Sequence, residues 1–297
     1  MSIITTLKNS VYYVEHCKIV SNDARLSFIK AENSFNKAFS LPHLNLAVLL
    51  LGPGTSITQQ AAKLLSEEGV NIGFTGGGGS PLFLASNSEY RPTEYLQQWI
   101  SWWQFDDRRL MVAKAFQRKR ISLVAEYWKK FFGAELEMLC VKPIATYAEK
   151  IPLASNVNEL LGYEANFTKS LYKILANHFK VKDFKREPRD HTIYANKLLD
   201  AGNYIAYGFA SSALWTLGIP PSLAVIHGKT RRGALVFDVA DMYKDALVLP
   251  LAFYAASEQF DESYYRKMLI DHFDRSNAFK NSFSVLKHAA SFELDKI

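Results

Sequence analysis

The sequence predicts an α+β fold in which a β-rich N-terminal domain is followed by an all-helical C-terminal domain. Up to residue 85, short runs of β-branched, aromatic and aliphatic residues are separated by polar or glycine-containing turns. From about Glu94 onward, apolar residues recur at intervals of three and four, the period of a helix with one buried face. The polar stretch of residues 86–93 separates the two patterns. We therefore predict a β-rich domain over residues 1–85, a linker over 86–100 and a helical domain over 101–297.

The β-rich part is predicted to contain several short strands and one helix. After the turn Gly52-Pro53-Gly54, Ser56 is a candidate N-cap for a helix that ends near Glu67, because apolar residues follow on one face. The predicted strands cover residues 11–14, 25–29, 44–51, 71–74 and 82–85.

The helical part begins with the pattern Leu110, Ala113 and Phe116, whose spacing places all three on one helix face. Pro220 and Pro221 end one of the later helices, because proline cannot continue the hydrogen-bond ladder. The later predicted helices cover residues 156–179, 191–215, 238–256 and 263–281.

The charge of the chain is unevenly distributed. Its 297 residues carry a net charge of +6, with 48% hydrophobic and 22% charged residues, which is typical of a soluble globular protein. Residues 1–100 hold 7 basic and 7 acidic side chains, so the whole excess lies in residues 101–297. This pattern suits a polyanionic partner such as DNA, although a solvated basic surface is the alternative that charge alone leaves open.

The cysteines and the hydropathy indicate the compartment. Cys17 and Cys140 are far apart in a chain too large to need a disulfide, which favours the reducing cytoplasm. The most apolar stretch, residues 246–256, is too short for a bilayer and contains Pro250. We therefore expect a cytoplasmic protein without membrane association.

Two glycine-rich segments suggest nucleotide binding but lack the residues that would perform it. Gly52-Pro53-Gly54 has no third glycine of a dinucleotide fingerprint, since position 57 is Ile. The glycines at 76–79 are not followed by the Lys-Ser/Thr pair of a phosphate loop. A nucleotide-dependent enzyme is therefore a disfavoured alternative.

Four residues form the candidate site: Glu164, His227, Asp238 and Asp241. Asp238 and Asp241 are three residues apart, so on a helix their carboxylates share a face. His227 precedes them in a loop-like segment, and Glu164 is near a predicted helix start. Carboxylates and a neutral imidazole suit Mg²⁺ or Mn²⁺, ions that stabilise charge in phosphoryl transfer. Taken singly, each residue also has an ordinary interpretation, with Asp238 as a helix N-cap and His227 as a loop histidine.

Six segments resemble, in order, the motifs of the CRISPR-associated protein 1 family, the integrase of CRISPR spacer acquisition. Two of them, residues 49–58 and 73–79, resemble the type I-F branch of that family. The others are residues 161–172, which include Glu164, residues 195–208, residues 226–229, which include His227, and residues 237–244, which include Asp238 and Asp241. The match runs from about Asn45 to Leu251; Ala165 stands where many relatives have Gly, and the first forty residues and the tail after Lys267 match no motif.

The resemblance implies a β-rich dimerisation domain and a helical catalytic domain with a Mg²⁺ or Mn²⁺ site. By motif position, Glu164, His227 and Asp241 match the metal ligands, and Asp238 is an accessory catalytic acid. The implied activity is that of a metal-dependent DNA endonuclease and integrase, which joins 3′-hydroxyl ends of captured DNA into a repeat array. The alternative is a non-catalytic DNA-binding subunit of the same fold.

The implied partners are double-stranded DNA, a second copy of the chain and CRISPR-associated protein 2, either free or fused to a helicase-nuclease. Four residues are candidates for contacts with DNA phosphates, because they lie beside the motifs or flank the candidate histidine: Asn203, Lys229, Arg231 and Arg232.

Overall fold

The computed structural model describes residues 10–22, 25–32, 35–41, 46–75, 81–85, 92–188, 192–228 and 233–297. Within these residues, strands occupy the N-terminal part and helices the remainder, so the predicted α+β fold is confirmed. Among the described helices, none combines the length and the apolar content needed to cross a bilayer. Cys17 and Cys140 are both buried free thiols.

The N-terminal residues form two four-stranded sheets. Their elements are β1 (Ser10–Val14), β2 (Lys18–Asn22), β3 (Arg25–Glu32), β4 (Phe35–Ser40), β5 (Leu46–Leu51), β6 (Ser56–Ile57), α1 (Gln59–Glu67), β7 (Asn71–Thr75) and β8 (Pro81–Ala85). The first sheet has the order β1-β5-β7-β8, in which β8 alone is antiparallel to its neighbour. In the second, of order β4-β3-β2-β6, three antiparallel strands are extended by the short parallel strand β6.

Local sequence explains the central strand and the start of α1. The six aliphatic residues of β5 are all buried, as expected for a strand covered on both faces of a parallel sheet. Ser56 belongs to β6 and pairs with Lys18, so its predicted role as N-cap is wrong. Thr58 caps α1 instead, and its side-chain oxygen accepts a hydrogen bond from the Ala61 N–H at 3.3 Å.

Strands β2 and β4 are not predicted from the sequence. Residues 37–40 of β4 are exposed and β4 forms an edge of its sheet, so burial imposes no clear alternation there. In β2, Ile19 is the only fully buried residue, which leaves too short a pattern to detect.

Helices make up the rest of the described chain. They are α2 (Glu94–Trp103), α3 (Asp106–Phe132), α4 (Ala134–Lys150), α5 (Val157–His178), α6 (Tyr194–Leu217), α7 (Ala234–Tyr243), α8 (Leu249–Ser257), α9 (Glu262–Arg275) and α10 (Ala278–Ala290). Short 3₁₀ turns follow α4 and α10, at Ile151–Leu153 and Leu294–Lys296. A π-helical turn, Lys244–Val248, connects α7 to α8.

The predicted linker over residues 86–100 is too long. Residues 94–100 belong to α2, whose Trp99 and Trp102 are buried. Their indole N–H groups donate to the carbonyls of Leu223 and Ala290, at 3.1 and 3.0 Å. This anchoring explains why α2 is part of the helical core; residues 86–91 lie outside the described residues.

Two predicted helices are each divided in the structure. The helix predicted over residues 238–256 begins earlier, at Ala234, and is interrupted by the π turn before Pro250, whose nitrogen has no hydrogen to donate. The helix predicted over residues 263–281 is broken at Asn277, whose φ of 52° lies in the left-handed region that asparagine tolerates. Apolar periodicity detects neither break, since both halves continue to bury one face.

The first sheet packs against the helices. Val11, Ala47, Val48 and Leu50 belong to the same buried cluster as the helical core, whereas the other face of the sheet forms a separate cluster with α1 and β2. The Asn71 side-chain amide donates to Thr216 Oγ1 of α6 at 2.6 Å, a buried hydrogen bond across this junction. Helix α6, with most of its residues buried, is the centre of the helical part.

Candidate active site

The predicted site residues lie where α3, α5, the segment before α7 and the start of the π turn meet. Each element contributes polar side chains to one largely buried network: Arg120 from α3, Glu164 from α5, His227 from the segment 224–228, Asp238 and Asp241 from α7, and Lys244 and Asp245 from the π turn. The network is built from elements that are far apart in the sequence.

Asp238 holds the histidine segment in place. Its carboxylate is buried and accepts hydrogen bonds from the backbone N–H groups of Val225, Ile226 and His227, at 2.7, 3.1 and 3.0 Å. It also lies 2.7 Å from His227 Nδ1. Asp238 is therefore not the N-cap of α7, a position that Gly233 occupies.

The contact with Asp238 orients the imidazole. A carboxylate without a proton can only accept, so Nδ1 carries the hydrogen of this bond and Nε2 is directed away from Asp238. Nε2 lies 3.9 Å from Asp241 Oδ2. Burial lowers the pKa of His227, but the hydrogen bond with Asp238 and the charges of Asp238, Asp241 and Glu164 outweigh it and raise the pKa.

Asp241 is held as an anion by two cations. Burial raises its pKa, but Lys244 and then Arg120 act in the opposite direction, so the pKa of the carboxyl is lowered. Lys244 Nζ donates to Asp241 Oδ1 at 2.7 Å. The same ammonium lies 5.4 Å from the Tyr207 ring centroid, and this ring packs edge-on against Phe237.

Arg120 joins Glu164 to the rest of the network. This arginine is almost fully buried and pairs with Glu164 Oε1 and Asp245 Oδ2, each at 2.6 Å. A further N–H donates to Thr168 Oγ1, one turn after Glu164 on α5, at 3.0 Å. A buried guanidinium needs such carboxylates, because an unpaired charge in the interior is strongly unfavourable.

No local sequence pattern predicts Arg120, Lys244 or Asp245 as site residues. Arg120 stands in the basic run of α3, where a solvated face is the simplest interpretation. Lys244 and Asp245 directly follow the acidic pair and could be recognised only from the wide π turn. The one available signal is that Lys244 is three residues after Asp241, a spacing that permits an ion pair.

The donor set of the site fits a divalent cation in part. His227 Nε2 and Asp241 Oδ2, 3.9 Å apart, are close enough to share one ion, since two ligands of one Mg²⁺ are separated by at most about 4.2 Å. Glu164 pairs with Arg120 and would have to exchange that partner for the ion. Among the described residues, no three His, Cys, Asp or Glu side chains already converge in a metal-binding arrangement.

The predicted DNA contacts lie partly outside the described residues. Lys229, Arg231 and Arg232 fall in the undescribed range 229–232, directly after the histidine segment. Asn203 is on α6, and its side-chain oxygen is buried with no hydrogen-bond partner among the described residues.

Comparison with known proteins identifies the family. The family model described as "CRISPR associated protein Cas1" matches residues 11–270. The CRISPR-associated endonuclease Cas1 of Pectobacterium atrosepticum is 41% identical, over 98% of this chain and 94% of the relative. The enzyme of the same name from Pseudomonas aeruginosa is 39% identical, over 97% of this chain and 95% of the relative.

Solved structures agree at the level of the fold. The crystal structure described as a TtCas1–DNA complex has a TM-score of 0.64 at 22% identity and covers 95% of this chain and 96% of its own. A chain of the structure described as a partial Cas6-RT-Cas1–Cas2 complex has a TM-score of 0.69 at 15% identity, with 97% of both chains covered. Together with the two relatives, which match nearly the whole chain, these findings establish that the chain belongs to the Cas1 family of CRISPR-associated endonucleases.

Proposed function

We propose that this chain is a metal-dependent DNA endonuclease and integrase that joins captured DNA fragments into a CRISPR repeat array. The 3′-oxygen of the fragment attacks a phosphorus of the repeat, a new P–O bond forms, and the bond to the 3′-oxygen of the repeat strand breaks. The attacking 3′-hydroxyl loses a proton and the leaving 3′-oxygen takes one up, so the step has no net proton change. The observation that carries the proposal is the orientation of His227 by Asp238, which directs Nε2 towards Asp241 beside the Arg120–Glu164 pair.

Three residues are proposed to hold the cation, and the others to position them. Glu164, His227 and Asp241 supply two carboxylates and one imidazole, a set that suits Mg²⁺ or Mn²⁺. When bound, such an ion stabilises charge on the attacking and leaving oxygens. Asp238 keeps the imidazole oriented, as a carboxylate behind a ligand histidine commonly does. Arg120 and Lys244 carry the positive charge that balances the carboxylates.

A non-catalytic DNA-binding role is the second candidate. It is favoured by the ion pairs of Glu164 with Arg120 and of Asp241 with Lys244, because a carboxylate already satisfied by a buried cation binds a metal less readily. The two candidates differ in a measurable way. A catalytic chain depends on His227 for joining, whereas a chain that only holds DNA does not.

The proposed partners follow from the family and from the charge of the chain. Solved Cas1 structures of the same fold include one complex with DNA and one with Cas2. We propose double-stranded DNA, a second copy of this chain bound through the β-rich part, and Cas2, free or fused to a helicase-nuclease. Asn203, Lys229, Arg231 and Arg232 are the proposed phosphate contacts, and the cytoplasm is the proposed location.

The test is His227→Ala in a joining assay. A labelled duplex with free 3′-hydroxyl ends is incubated with supercoiled plasmid, Cas2 and Mg²⁺ or Mn²⁺. We expect joining to fall by a factor on the order of a hundred or more, since catalysis at a metal depends strongly on ligand geometry. DNA affinity and thermal stability should change little, because phosphate contacts come from Lys and Arg.

Two control measurements show whether the variant still folds and still binds DNA. Circular dichroism on heating and DNA binding by fluorescence anisotropy are recorded for His227→Ala and for the control variant His288→Ala. His288 pairs with Glu293 and lies on α10, a helix that contributes no residue to the site network described above. Joining by His227→Ala at the wild-type rate would contradict the catalytic proposal and support the non-catalytic candidate.

A further inference from the structure

A basic pocket lies on the side of α5 that faces away from Glu164. The pocket has a volume of about 590 Å³ and is formed by the C-terminal half of α5 and the segment that follows it. Lys173, on its wall, is nine residues after Glu164, which corresponds to a rotation of about 180° around the helix. The pocket is therefore separate from the candidate active site, although the same helix forms part of both. We call it the α5 pocket.

The lining of the α5 pocket is strongly cationic. Six basic side chains border it, and Asp183 is the one acidic side chain among the described lining residues. Two of the six have acidic partners: Lys185 pairs with Glu187, and Arg186 with Asp200. The remaining four are exposed lysines for which the described residues offer no ion pair: Lys169, Lys173, Lys180 and Lys182.

One of these lysines occupies a backbone position that favours glycine. Lys180 follows the end of α5 with a φ of 56°, in the left-handed region. The helix end is closed around it, since the Val181 N–H donates to the Ala176 carbonyl at 2.9 Å. A side chain retained at such a position against its conformational preference often has a functional reason.

The wall of the pocket is partly aromatic. Tyr172 lines the pocket and belongs to the same helix as Glu164. Its ring packs against Phe184, with the ring centroids 5.5 Å apart. Aromatic rings beside lysines are a combination common in grooves that bind nucleic-acid strands.

A simpler explanation accounts for only part of this charge. Cations near a helix C-terminus are favoured by the helix dipole, which covers Lys180 and Lys182. It does not explain Lys169 or Lys173, which lie about two and a half and one and a half turns before the helix end, beyond the last turn on which the dipole acts, nor the backbone conformation of Lys180. Lys169 and Lys173 are four residues apart, so they are stacked on one face about 6 Å from each other along the helix.

We propose that the α5 pocket is a second DNA-binding site, at which the lysines bind backbone phosphates of the DNA held by the catalytic centre. Along the axis of α5, Lys173 lies about 14 Å and Lys180, just past the helix end, about 24 Å beyond Glu164. Because the pocket faces away from Glu164, the path is longer than this axial rise. At about 3.4 Å per nucleotide of duplex, the lysines reach phosphates at least about four to seven nucleotides from the reacting one. The inference rests on the proposed function, because it takes DNA to be the substrate.

The test combines three substitutions in the full-length chain: Lys173→Ala, Lys180→Gly and Lys182→Ala. Affinity for a fluorescent branched duplex that mimics the joined product is measured by anisotropy at several salt concentrations. We expect the triple variant to bind at least tenfold more weakly at low salt. Its slope of log affinity against log salt should be shallower by about 2 to 3, since each neutralised phosphate contributes about 0.9. The matched control is Lys142→Ala with Lys150→Ala, two exposed lysines on α4.

Lys180→Gly alone separates binding from folding. Glycine is preferred at the backbone conformation of Lys180, so the variant should melt at the wild-type temperature or above. Its salt slope should nevertheless be shallower by about one. A lower melting temperature together with an unchanged salt slope would mean that Lys180 is structural, and would overturn the proposal for this residue.

A length series gives the geometric check. If the fragment arm of the branched duplex is shortened from twenty base pairs to a three-base-pair hairpin, its phosphates no longer reach the pocket, and the wild type and the triple variant should bind alike. Equal affinity of the two proteins for the long arm would overturn the proposal. If the triple variant kept the wild-type affinity for DNA but lost Cas2 binding, the pocket would be assigned to a protein partner and the proposal would be overturned. It would also be overturned if inorganic phosphate inhibited DNA binding no more than chloride does, in both the wild type and the triple variant.

The outcome is distinguishable from failure of the proposed function. Joining by His227→Ala reports on catalysis, whereas the affinity of the lysine variants reports on the pocket. If His227→Ala joined DNA at the wild-type rate and the triple variant bound DNA more weakly, the proposal for the α5 pocket would hold and the catalytic proposal would fail.

Discussion

Asp238 makes more polar contacts than any other carboxylate in the described site. It bonds three consecutive backbone N–H groups and the imidazole of His227, and its side chain is fully buried. These donors belong to the segment between α6 and α7, so Asp238 holds both the backbone of that segment and the imidazole ring. The role is one of positioning, since the described contacts of Asp238 are to other protein groups in the site.

Asp238→Asn tests this role. The amide removes the negative charge and places an NH₂ group against donors, so at least one buried N–H loses its partner. We expect a loss of about 2–3 kcal/mol in the free energy of unfolding, measured by urea denaturation, because a buried donor without an acceptor is costly. Joining should fall roughly tenfold to a hundredfold, the usual effect of losing a carboxylate that orients a metal-binding histidine.

The matched control for Asp238→Asn is Asp271→Asn on α9. The Asp271 side chain is 59% exposed, and its Oδ2 lies 3.4 Å from Nη1 of the equally exposed Arg275. A solvent-exposed ion pair contributes little, so the variant should keep both stability and joining within the error of the assays. Unfolding of Asp238→Asn at the wild-type urea concentration would show that the backbone contacts are not needed to hold the segment.

The sequence predicts the acidic and histidine members of the site but not the basic ones. Spacing places Asp238 and Asp241 on one face of a helix, and the structure does bring His227 to both. No local pattern reveals that Arg120 reaches Glu164, because the contact depends on how α3 crosses α5. The catalytic and metal-binding roles of these residues stay predictions until activity is measured.

At the scale of single elements, the packing of α6 depends on one glycine. A Cβ atom at Gly202 would lie 2.6 Å from Val248 Cγ1 and even closer to the Tyr265 hydroxyl. Gly202 therefore lets α6 approach the π turn and α9, an approach that keeps Lys244 and Asp245 at the site. The sequence shows this glycine only as an interruption in a helical pattern, which by itself lowers the expected helix stability.

Gly202→Ala should destabilise the protein. Alanine improves helix propensity by about 1 kcal/mol, but forcing a methyl group into a packed core costs about 1–3 kcal/mol. Because the contact with Tyr265 is too close for a side chain to relax fully, we expect a net loss of about 1–2 kcal/mol, seen as a lower urea midpoint.

Gly162→Ala on α5 is the control for the glycine test. A Cβ atom there meets nothing within 4 Å, so the substitution should raise the free energy of unfolding by up to about 1 kcal/mol through helix propensity alone. Equal changes in the two variants would refute the close packing of α6.

Element boundaries explain where sequence-based prediction succeeds and fails. The predicted helices over residues 156–179 and 191–215 match α5 and α6 to within a few residues, since each has one continuous apolar face and a clear end. The predicted helices over residues 238–256 and 263–281 are divided because the π turn and the left-handed Asn277 leave apolar periodicity almost unchanged. Edge strand β4 is missed because its described side chains are exposed.

At the scale of the whole molecule, the neutral sheets and the basic helices form one structure with a shared core. The first sheet contributes Val48 and Leu50 to the helical core and is tied to α6 by the bond between Asn71 and Thr216. The net positive charge lies in the helical part, which carries both the candidate site and the α5 pocket. The division into separate domains stays a prediction.

The second sheet, β4-β3-β2-β6, is the surface on which we predict dimerisation. It exposes Phe39 to 40%, in stacked contact with Phe28, and apolar side chains left in water on a sheet are typical of association surfaces. Because the N-terminal hundred residues have no net charge, pairing two copies there brings little repulsion and leaves both basic parts free for DNA.

Sedimentation equilibrium at micromolar concentration should give twice the chain mass of 33.6 kDa. Phe39→Glu should shift the chain towards monomer by at least tenfold in dissociation constant, since two buried charges would face each other across a twofold axis. Ile100→Glu, at a 51% exposed position on α2, is the control and should stay dimeric. A monomeric wild type would refute the dimer, and a dimeric Phe39→Glu would place the contact elsewhere on the molecule.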